Sequence, residues 1–387
     1  MKLVVALTFF ITLGHFRAFA EETLVLRGTV GKSKIVMELE VDGDEVWGSY
    51  FYEKTAVNIP IQGNTVKGIF SFYAGSTFDD NENKEHFQLT SKAGTFTGTW
   101  SYKGKTLPVQ LKAIKRSDSK NAFAATNTQF AASEISDYNY VRASLAQFER
   151  TDSITMKDGV TLQWFKETHS NIRMFRIIKG KPAATIAFVN DFLENMQLHE
   201  FINYGGCGTG EREVWYDLSV DQLFINADFF SIAASTYYDC GGPHPDGSSY
   251  VINLDLNNLK SLSTEELLQF DGFIIRNETN FDEWANYRSA IFGQQLNTFF
   301  KNQYPENYEV ALEEELNEDG VCNYDSPERW AYSDLLITNE GFVAGAYFPR
   351  YAGICDNPGW TIIPFKAFES KLNPAYREQL LRIKPEN

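Results

Sequence analysis

The stretch Thr95–Leu111, TFTGTWSYKGKTLPVQL, decides the reading of the first third of the chain. Thr95 to Tyr102 and Thr106 to Leu111 are short runs of period two, and Lys103-Gly104-Lys105 between them is turn chemistry. That combination predicts a β-hairpin. The same grammar extends upstream. Val30 to Val41 places Ile35, Met37, Leu39 and Val41 on one face, Asp42-Gly43-Asp44-Glu45 turns, and Val46 to Tyr52 resumes the alternation. Ile59 and Ile61 precede a turn at Gln62-Gly63-Asn64, Val66 to Phe72 follows, and His86 to Leu89 starts a further run. Residues 22–115 therefore read as an antiparallel meander of about eight strands, closing as a small barrel or packing as a sandwich. Trp47-Gly48-Ser49-Tyr50 and Gly98-Thr99-Trp100-Ser101 are similar punctuation in two of the strands.

Residues 116–130 lose the pattern and read as a linker. Residues 131–387 mix both periods and predict an α+β domain with antiparallel sheet, so the chain as a whole is α+β. Pro182 at a first helical turn leads into a helix over Ala183–Leu198. Phe281 to Phe300 reads as a second helix, and Ser263 or Thr264 caps a short one. Strands are expected at Arg212 to Val220, Phe229 to Tyr238, Leu335 to Thr338 and Phe342 to Phe348.

The composition narrows the class. The 387 residues carry 35 Lys plus Arg against 51 Asp plus Glu, a balance of −16, with 31 Phe, 19 Tyr and 7 Trp. Such an aromatic supply excludes a disordered chain. The acidic balance argues against general affinity for nucleic acid or an anionic membrane, which need clustered Lys and Arg. At the N-terminus, Lys2, the apolar run Leu3 to Leu13 and Ala18-Phe19-Ala20 form a signal peptide over residues 1–20. The run is too short to span a membrane, no later stretch is long enough, and no cysteine directly follows the cleavage site to carry a lipid anchor. The expected location is exported, periplasmic or secreted. Cleavage removes Lys2 and Arg17 and takes the charge from −16 to −18.

Four cysteines in an exported chain predict disulfides. The midpoint of Cys207 and Cys240 falls near the turn Asn226-Ala227-Asp228, and that of Cys322 and Cys355 beside the turn Asn339-Glu340-Gly341. Each pair would meet at the open end of a hairpin, which predicts 207–240 and 322–355. No C-x-x-C or histidine pair suggests a metal centre, so neither a metal nor a cofactor is expected.

Tyr237-Tyr238-Asp239-Cys240-Gly241-Gly242-Pro243-His244-Pro245 resembles the Tyr-x-Gly-Gly-Ala-His-Pro strand-end loop of a known family. Tyr250 to Leu256 followed by Glu265-Glu266-Leu267-Leu268 is similar to its strand and short helix, and Tyr351-Ala352-Gly353 with Thr361 to Phe368 to its closing segment. The family is the extracytoplasmic domain of unknown function found in lysozyme-sensing anti-sigma factors of the RsiV type and beside deacetylase domains of the PdaC type. The resemblance covers roughly residues 160–375. The chain departs from it at Pro243, in its cysteines, and in lacking the anti-sigma segment and membrane helix, so transmembrane signalling does not carry over. What the resemblance implies is a partner such as lysozyme.

Candidate chemistry is sparse. Thr77-Phe78-Asp79-Asp80 looks like the start of a deacetylase metal motif, but Asn81 replaces the expected Gly and the matching histidine pair is absent. Asp79 to Glu85 then reads as a solvated acidic loop. His244, close to Asp239 and Asp246, is the weak catalytic candidate: a base oriented by a carboxylate. The competing reading is a rigid turn. No nucleophile, phosphate-loop or zinc-protease signature accompanies it. Gly241, Gly242, His244, Trp215, Trp330 and Trp360 are the candidate binding residues, with the tryptophans as interface anchors or sugar-stacking rings. The acidic run Glu309 to Asp319 reads as a solvated face or as a surface that steers a basic partner. Asn277-Glu278-Thr279 is a glycosylation sequon that matters only in a glycosylating host.

The expectation is an exported, non-catalytic cell-envelope binding protein for lysozyme or another basic protein. A glycan-binding or hydrolytic protein using the His244 loop is the alternative, and a structural envelope component the third. No nucleic-acid partner and no transmembrane segment are expected.

Overall fold

The computed structural model describes residues 22–75, 84–207, 215–241, 244–277, 279–311, 321–349, 353 and 355–385. The leader, the Thr77–Asp80 motif and the acidic run Glu313 to Asp319 lie outside the described residues. The chain forms two compact units. One contains described residues 22–126, 131–147 and 201–207, and the other residues 127–130, 148–200 and those from Trp215 on.

In the first unit, β1 (Glu22–Val30), β2 (Ser33–Asp42), β3 (Glu45–Tyr52), β4 (Ile59–Val66), β5 (Ile69–Ala74), β6 (Glu85–Lys92), β7 (Thr95–Tyr102) and β8 (Lys105–Ala113) form a closed antiparallel barrel. Of the two architectures the meander allowed, the barrel is the one formed, because β8 returns to β1 with Leu26 opposite Ala113 and Val30 opposite Val109. Ile35, Met37 and Leu39 point inward with Phe72, Phe87 and Leu111, so side chains fill the lumen. A Cβ on Gly98 would stand 1.9 Å from the Gln88 carbonyl oxygen, and one on Gly48 2.1 Å from that of Glu38. The Gly/Trp punctuation thus marks where neighbouring strands press together as the sheet coils. Gln62-Gly63-Asn64 is not a turn. It runs through the middle of β4, with Gly63 opposite both Val46 and Phe72, and the reversal comes at Lys67-Gly68.

Residues 116–130 are not an open linker, since they form α1 (Ala122–Thr126) and the start of α2 (Thr128–Ala132). The helix α3 (Asp137–Ala143), capped by Ser136, belongs with the barrel rather than with the α+β part. The reason is packing: Tyr138 and Val141 bury against Val25, Val36 and Phe51, the outward-facing apolar residues of β1 to β3. Arg142, 1 % exposed, lies over the Phe51 and Tyr138 rings and donates to Asn58.

The second unit begins with β9 (Phe148–Thr155), β10 (Thr161–Glu167) and β11 (Arg173–Lys179), an antiparallel sheet in the order β11-β10-β9. Pro182 precedes α4 (Ala183–Cys207), longer than the sequence indicated. Its residues to Glu200 count with this unit. Asn190 bonds both N and O of Ile177 at 2.8 Å, and Gln197 reaches the carbonyls of Phe165 and Ile172 at 3.0 Å, so two polar side chains seven apart dock the helix on the sheet edge.

A second sheet has the order β12 (Trp215–Ile225), β13 (Phe229–Asp239), β14 (Asp246–Asp255), β15 (Lys260–Leu262). Ser263 caps α5 (Thr264–Leu267) in a capping box with Glu266. The segment read as one helix from Phe281 is α6 (Phe281–Tyr287), a π-turn at Arg288–Phe292 and α7 (Gly293–Gln303). After the short pair β16 (Glu309–Ala311) and β17 (Val321–Asn323) come α8 (Glu328–Ala331), β18 (Leu335–Ile337), β19 (Phe342–Ala344), β20 (Ile362–Ile363) and α9 (Arg377–Arg382). β19 stops at Ala344, short of Phe348, because the backbone beyond it is diverted. The Gly345 carbonyl accepts from Ser333 Oγ, and the Tyr347 N–H donates to Arg329 O at 2.8 Å. Phe229, Leu267, Phe292, Phe300, Trp330 and Leu335 lie at the centre of this core. Cys322 and Cys355 are bonded with their Cα atoms 5.6 Å apart. Cys207 and Cys240 are disulfide-bonded as well, so no cysteine is free. No described helix is long and apolar enough to cross a membrane.

Candidate functional site

The strand-end loop is built by backbone needs. Asp239 Oδ1 accepts from the Gly241 N–H at 2.8 Å, and Asp246 Oδ1 from the Gly247 N–H at 2.9 Å. Gly241 sits at φ +78°, left-handed backbone that favours glycine. His244 is exposed, and its Nδ1 lies 3.2 Å from the Pro245 carbonyl oxygen. The imidazole thus meets a main-chain oxygen, and each neighbouring carboxylate accepts from a main-chain N–H, as the turn requires. Gly242 and Pro243 lie outside the described residues.

The candidate tryptophans separate. Trp330 is fully buried, its Nε1 donating to Tyr324 O at 3.1 Å and its ring 4.6 Å from that of Phe300. It is a core residue, and the expectation of a ligand anchor there is corrected. Trp360 is partly buried against the same core, 5.2 Å from the Tyr324 ring and 5.5 Å from Tyr304, so it too packs inward. Trp215 is different, at 52 % exposed.

Trp215 opens β12, and the pleat decides what accompanies it. Alternate residues Trp215, Asp217 and Ser219 share one face, and the register sets Asp217 opposite Tyr237 and Ser219 opposite Ser235. Tyr237 is 60 % exposed, and its ring centroid is 6.1 Å from that of Trp215. Asp221 continues the same alternation, just where a β-bulge between Val220 and Gln222 interrupts the register. Asp221 accepts from Ser219 Oγ at 2.7 Å and from Ser235 Oγ at 2.5 Å, and Ser249 on β14 lies 3.3 Å from Ser235. Gly247, opposite Tyr237, leaves room for the Tyr237 ring to lie across the strand.

The opposite face anchors this platform. Tyr216 and Tyr238 stack at 5.4 Å, and Tyr216 Oη donates to Glu200 Oε2 at 2.5 Å. Tyr250 also bonds Glu200, and burial, reinforced by that carboxylate, pushes its hydroxyl pKa up to about 12. The result is two exposed aromatic rings beside two exposed carboxylates and a row of hydroxyls, on a sheet held rigid from behind. Sequence reading found Trp215 but missed Tyr237, Asp217, Asp221 and Ser235. The alternation Trp215-x-Asp217-x-Ser219-x-Asp221 was the available signal for β12; the pairing that brings Tyr237 and Ser235 alongside left none.

No family model matches the chain, and no curated protein matches it. Among solved structures, it is similar to a DUF3298 family protein from Pseudomonas aeruginosa PAO1, at 11 % identity over 62 % of this chain and 95 % of that one, with a TM-score of 0.29. It is also similar to a member of the DUF3298 family from Bacteroides fragilis, at 12 % identity over 62 % of this chain and 98 % of that one, with a TM-score of 0.30.

Proposed function

We propose that the chain is an exported, non-catalytic binding protein, and that the outer face of β12 and β13 receives a basic protein partner. The observation that carries this is the exposed Trp215–Tyr237 pair set beside Asp217 and Asp221. Aromatic rings next to carboxylates receive Lys and Arg through cation–π and charged contacts together. The net charge of −16 favours encounter with a positive molecule. Bonded cysteines fit an oxidising compartment, as the leader does. The resemblance to lysozyme-sensing RsiV-type domains, and to the domain beside PdaC-type deacetylases, makes lysozyme the first partner to test.

Calorimetry of the full chain against lysozyme should give saturable heat that weakens with salt. Trp215→Ala should reduce affinity by about 2 kcal/mol, roughly 30-fold, as for a central aromatic anchor. No heat at tens of micromolar, or an unaffected W215A protein, overturns the reading. The Ser219–Ser235–Ser249 hydroxyls beside Trp215 favour one second reading, a glycan stacked on the rings. Binding of soluble cell-wall fragments but not lysozyme would decide for it, and binding of neither would leave a structural envelope component.

A further inference from the structure

A second site lies on the barrel, away from the sheet platform in sequence and opposite to it in charge. The β1–β2 hairpin and the loop after β3 form an open surface pocket of ≈ 620 Å³ lined by Lys32, Ser33, Lys34, Tyr52, Glu53, Lys54 and Thr55. The lone carboxylate of that wall, Glu53, accepts from Arg27 Nε at 2.7 Å and is neutralised there. Lys32, Lys34 and Lys54 form no ion pair among the described residues. Three lysines without an ion pair among the described residues therefore line one pocket in a chain whose balance is −16. A concave patch lined by one sign of charge draws in an anion.

The wall is held in place. The Glu53 N–H donates to Lys34 O at 3.0 Å, which ties the loop to the start of β2. Thr55 and Ala56 both donate to Tyr52 O, at 3.0 and 2.9 Å, and Ala56 is fully buried at φ +56°. A non-glycine residue kept in the left-handed region carries a conformational cost, so the loop is fixed by its surroundings rather than by local preference.

We propose that this pocket is a binding site for a phosphate monoester, with Lys32, Lys34 and Lys54 as the charged contacts and the Ser33 and Thr55 hydroxyls as donors. A dianion suits three ammonium groups, whereas a single carboxylate leaves two of them unmatched. The volume exceeds that of a phosphate group alone, and the Tyr52 ring and the lysine stems form a wall for the organic part of the ester. The ester reaches the site either as a free small molecule or as the headgroup of phosphatidic acid, itself a phosphate monoester. The proposal is independent of the partner assigned to β12 and β13.

The test uses the full chain at low salt, with inorganic phosphate and glycerol phosphate titrated by calorimetry. Binding should saturate, weaken as salt is added, and fall by roughly ten-fold or more in a Lys32→Gln/Lys34→Gln/Lys54→Gln protein. Those three side chains are exposed, so the variant's melting curve should match the parent's. Lys103→Gln/Lys105→Gln, at the hairpin between β7 and β8, removes two barrel lysines outside the pocket and should leave binding unchanged. Co-sedimentation with phosphatidylcholine vesicles, with and without phosphatidic acid, separates the sources. Lysine-dependent binding only to the anionic vesicles identifies a headgroup, and binding only to glycerol phosphate identifies a free ester. Equal binding by the triple variant, equal loss in the Lys103/Lys105 variant, or no binding to any probe overturns the proposal.

Discussion

Replacing Glu265 by Ala is expected to destabilise the second unit by about 3–5 kcal/mol, the cost of leaving a buried charge without its partner. Glu265 and Arg288 are each 2 % exposed. Glu265 Oε1 accepts from Arg288 Nε at 2.5 Å and from Trp284 Nε1 at 2.7 Å. Arg288 completes its bonding through Nη1, which donates to Ser333 O at 2.7 Å, and its guanidinium lies 4.4 Å from the Phe292 ring centroid and 5.2 Å from that of Trp284. Loss of the carboxylate leaves a buried guanidinium without its counter-charge and an indole N–H without its acceptor. Neighbouring Glu266 is the control. Its carboxylate closes the capping box on the Ser263 N–H at 2.9 Å and is partly solvated, so Glu266→Ala should cost about 1 kcal/mol. Urea titration followed by tryptophan fluorescence measures both. Equal midpoints for the two variants would remove the argument, and a Glu265→Leu/Arg288→Met protein should recover most of the loss, because it leaves no buried charge behind.

The second large effect belongs to the disulfide between Cys322 and Cys355. It closes a loop of 33 residues, and the chain-entropy model assigns such a closure about 3–4 kcal/mol. Both cysteines are buried, at 4 % and 1 % exposure, and the Cys355 carbonyl accepts from Tyr324 Oη at 2.9 Å. The loop between them contains α8 and the β18–β19 hairpin, where Leu335 pairs with Ala344. Cys322→Ala/Cys355→Ala should therefore lose about 3–4 kcal/mol relative to the oxidised parent, read as a lower denaturation midpoint. Reductant should lower the parent's midpoint and shift the variant's by less. Peptide mapping without reduction should recover the 322–355 pair, and a crossed pair would contradict the structure.

Local chemistry in the chain was legible, and consequences of distant packing were not. Period-two runs and Gly turns marked the barrel strands because both are local signals. Closure was not marked, since it rests on Leu26 meeting Ala113 across nearly the whole barrel sequence. Pro182 announced the start of α4, and nothing local announced its end. The π-turn at Arg288–Phe292 was invisible because its residues continue an apolar helical stripe. It lies where Arg288 must turn toward Glu265, Ala331 and Ser333. The α3 segment has an apolar face that fits either unit, and only Val25, Val36 and Phe51 decide for the barrel. At the candidate platform, Trp215, Trp330 and Trp360 look alike as letters. Tertiary contacts send one outward, bury the second fully and tuck the third against the core.

Barrel closure has a mechanical consequence. The N-terminal end of β1 and the C-terminal end of β8 emerge at the same end of the seam, because the two strands run antiparallel and pair from Leu26–Ala113 to Val30–Val109. Tension applied through those ends would peel the seam rather than shear it, loading its five pairs one after another instead of all at once. Each backbone bond contributes only about 1 kcal/mol net. A cylinder with no free edge to offer a neighbouring chain is thus a weak link under pull, and a force spectrum of this barrel should show it yielding early, along a known line.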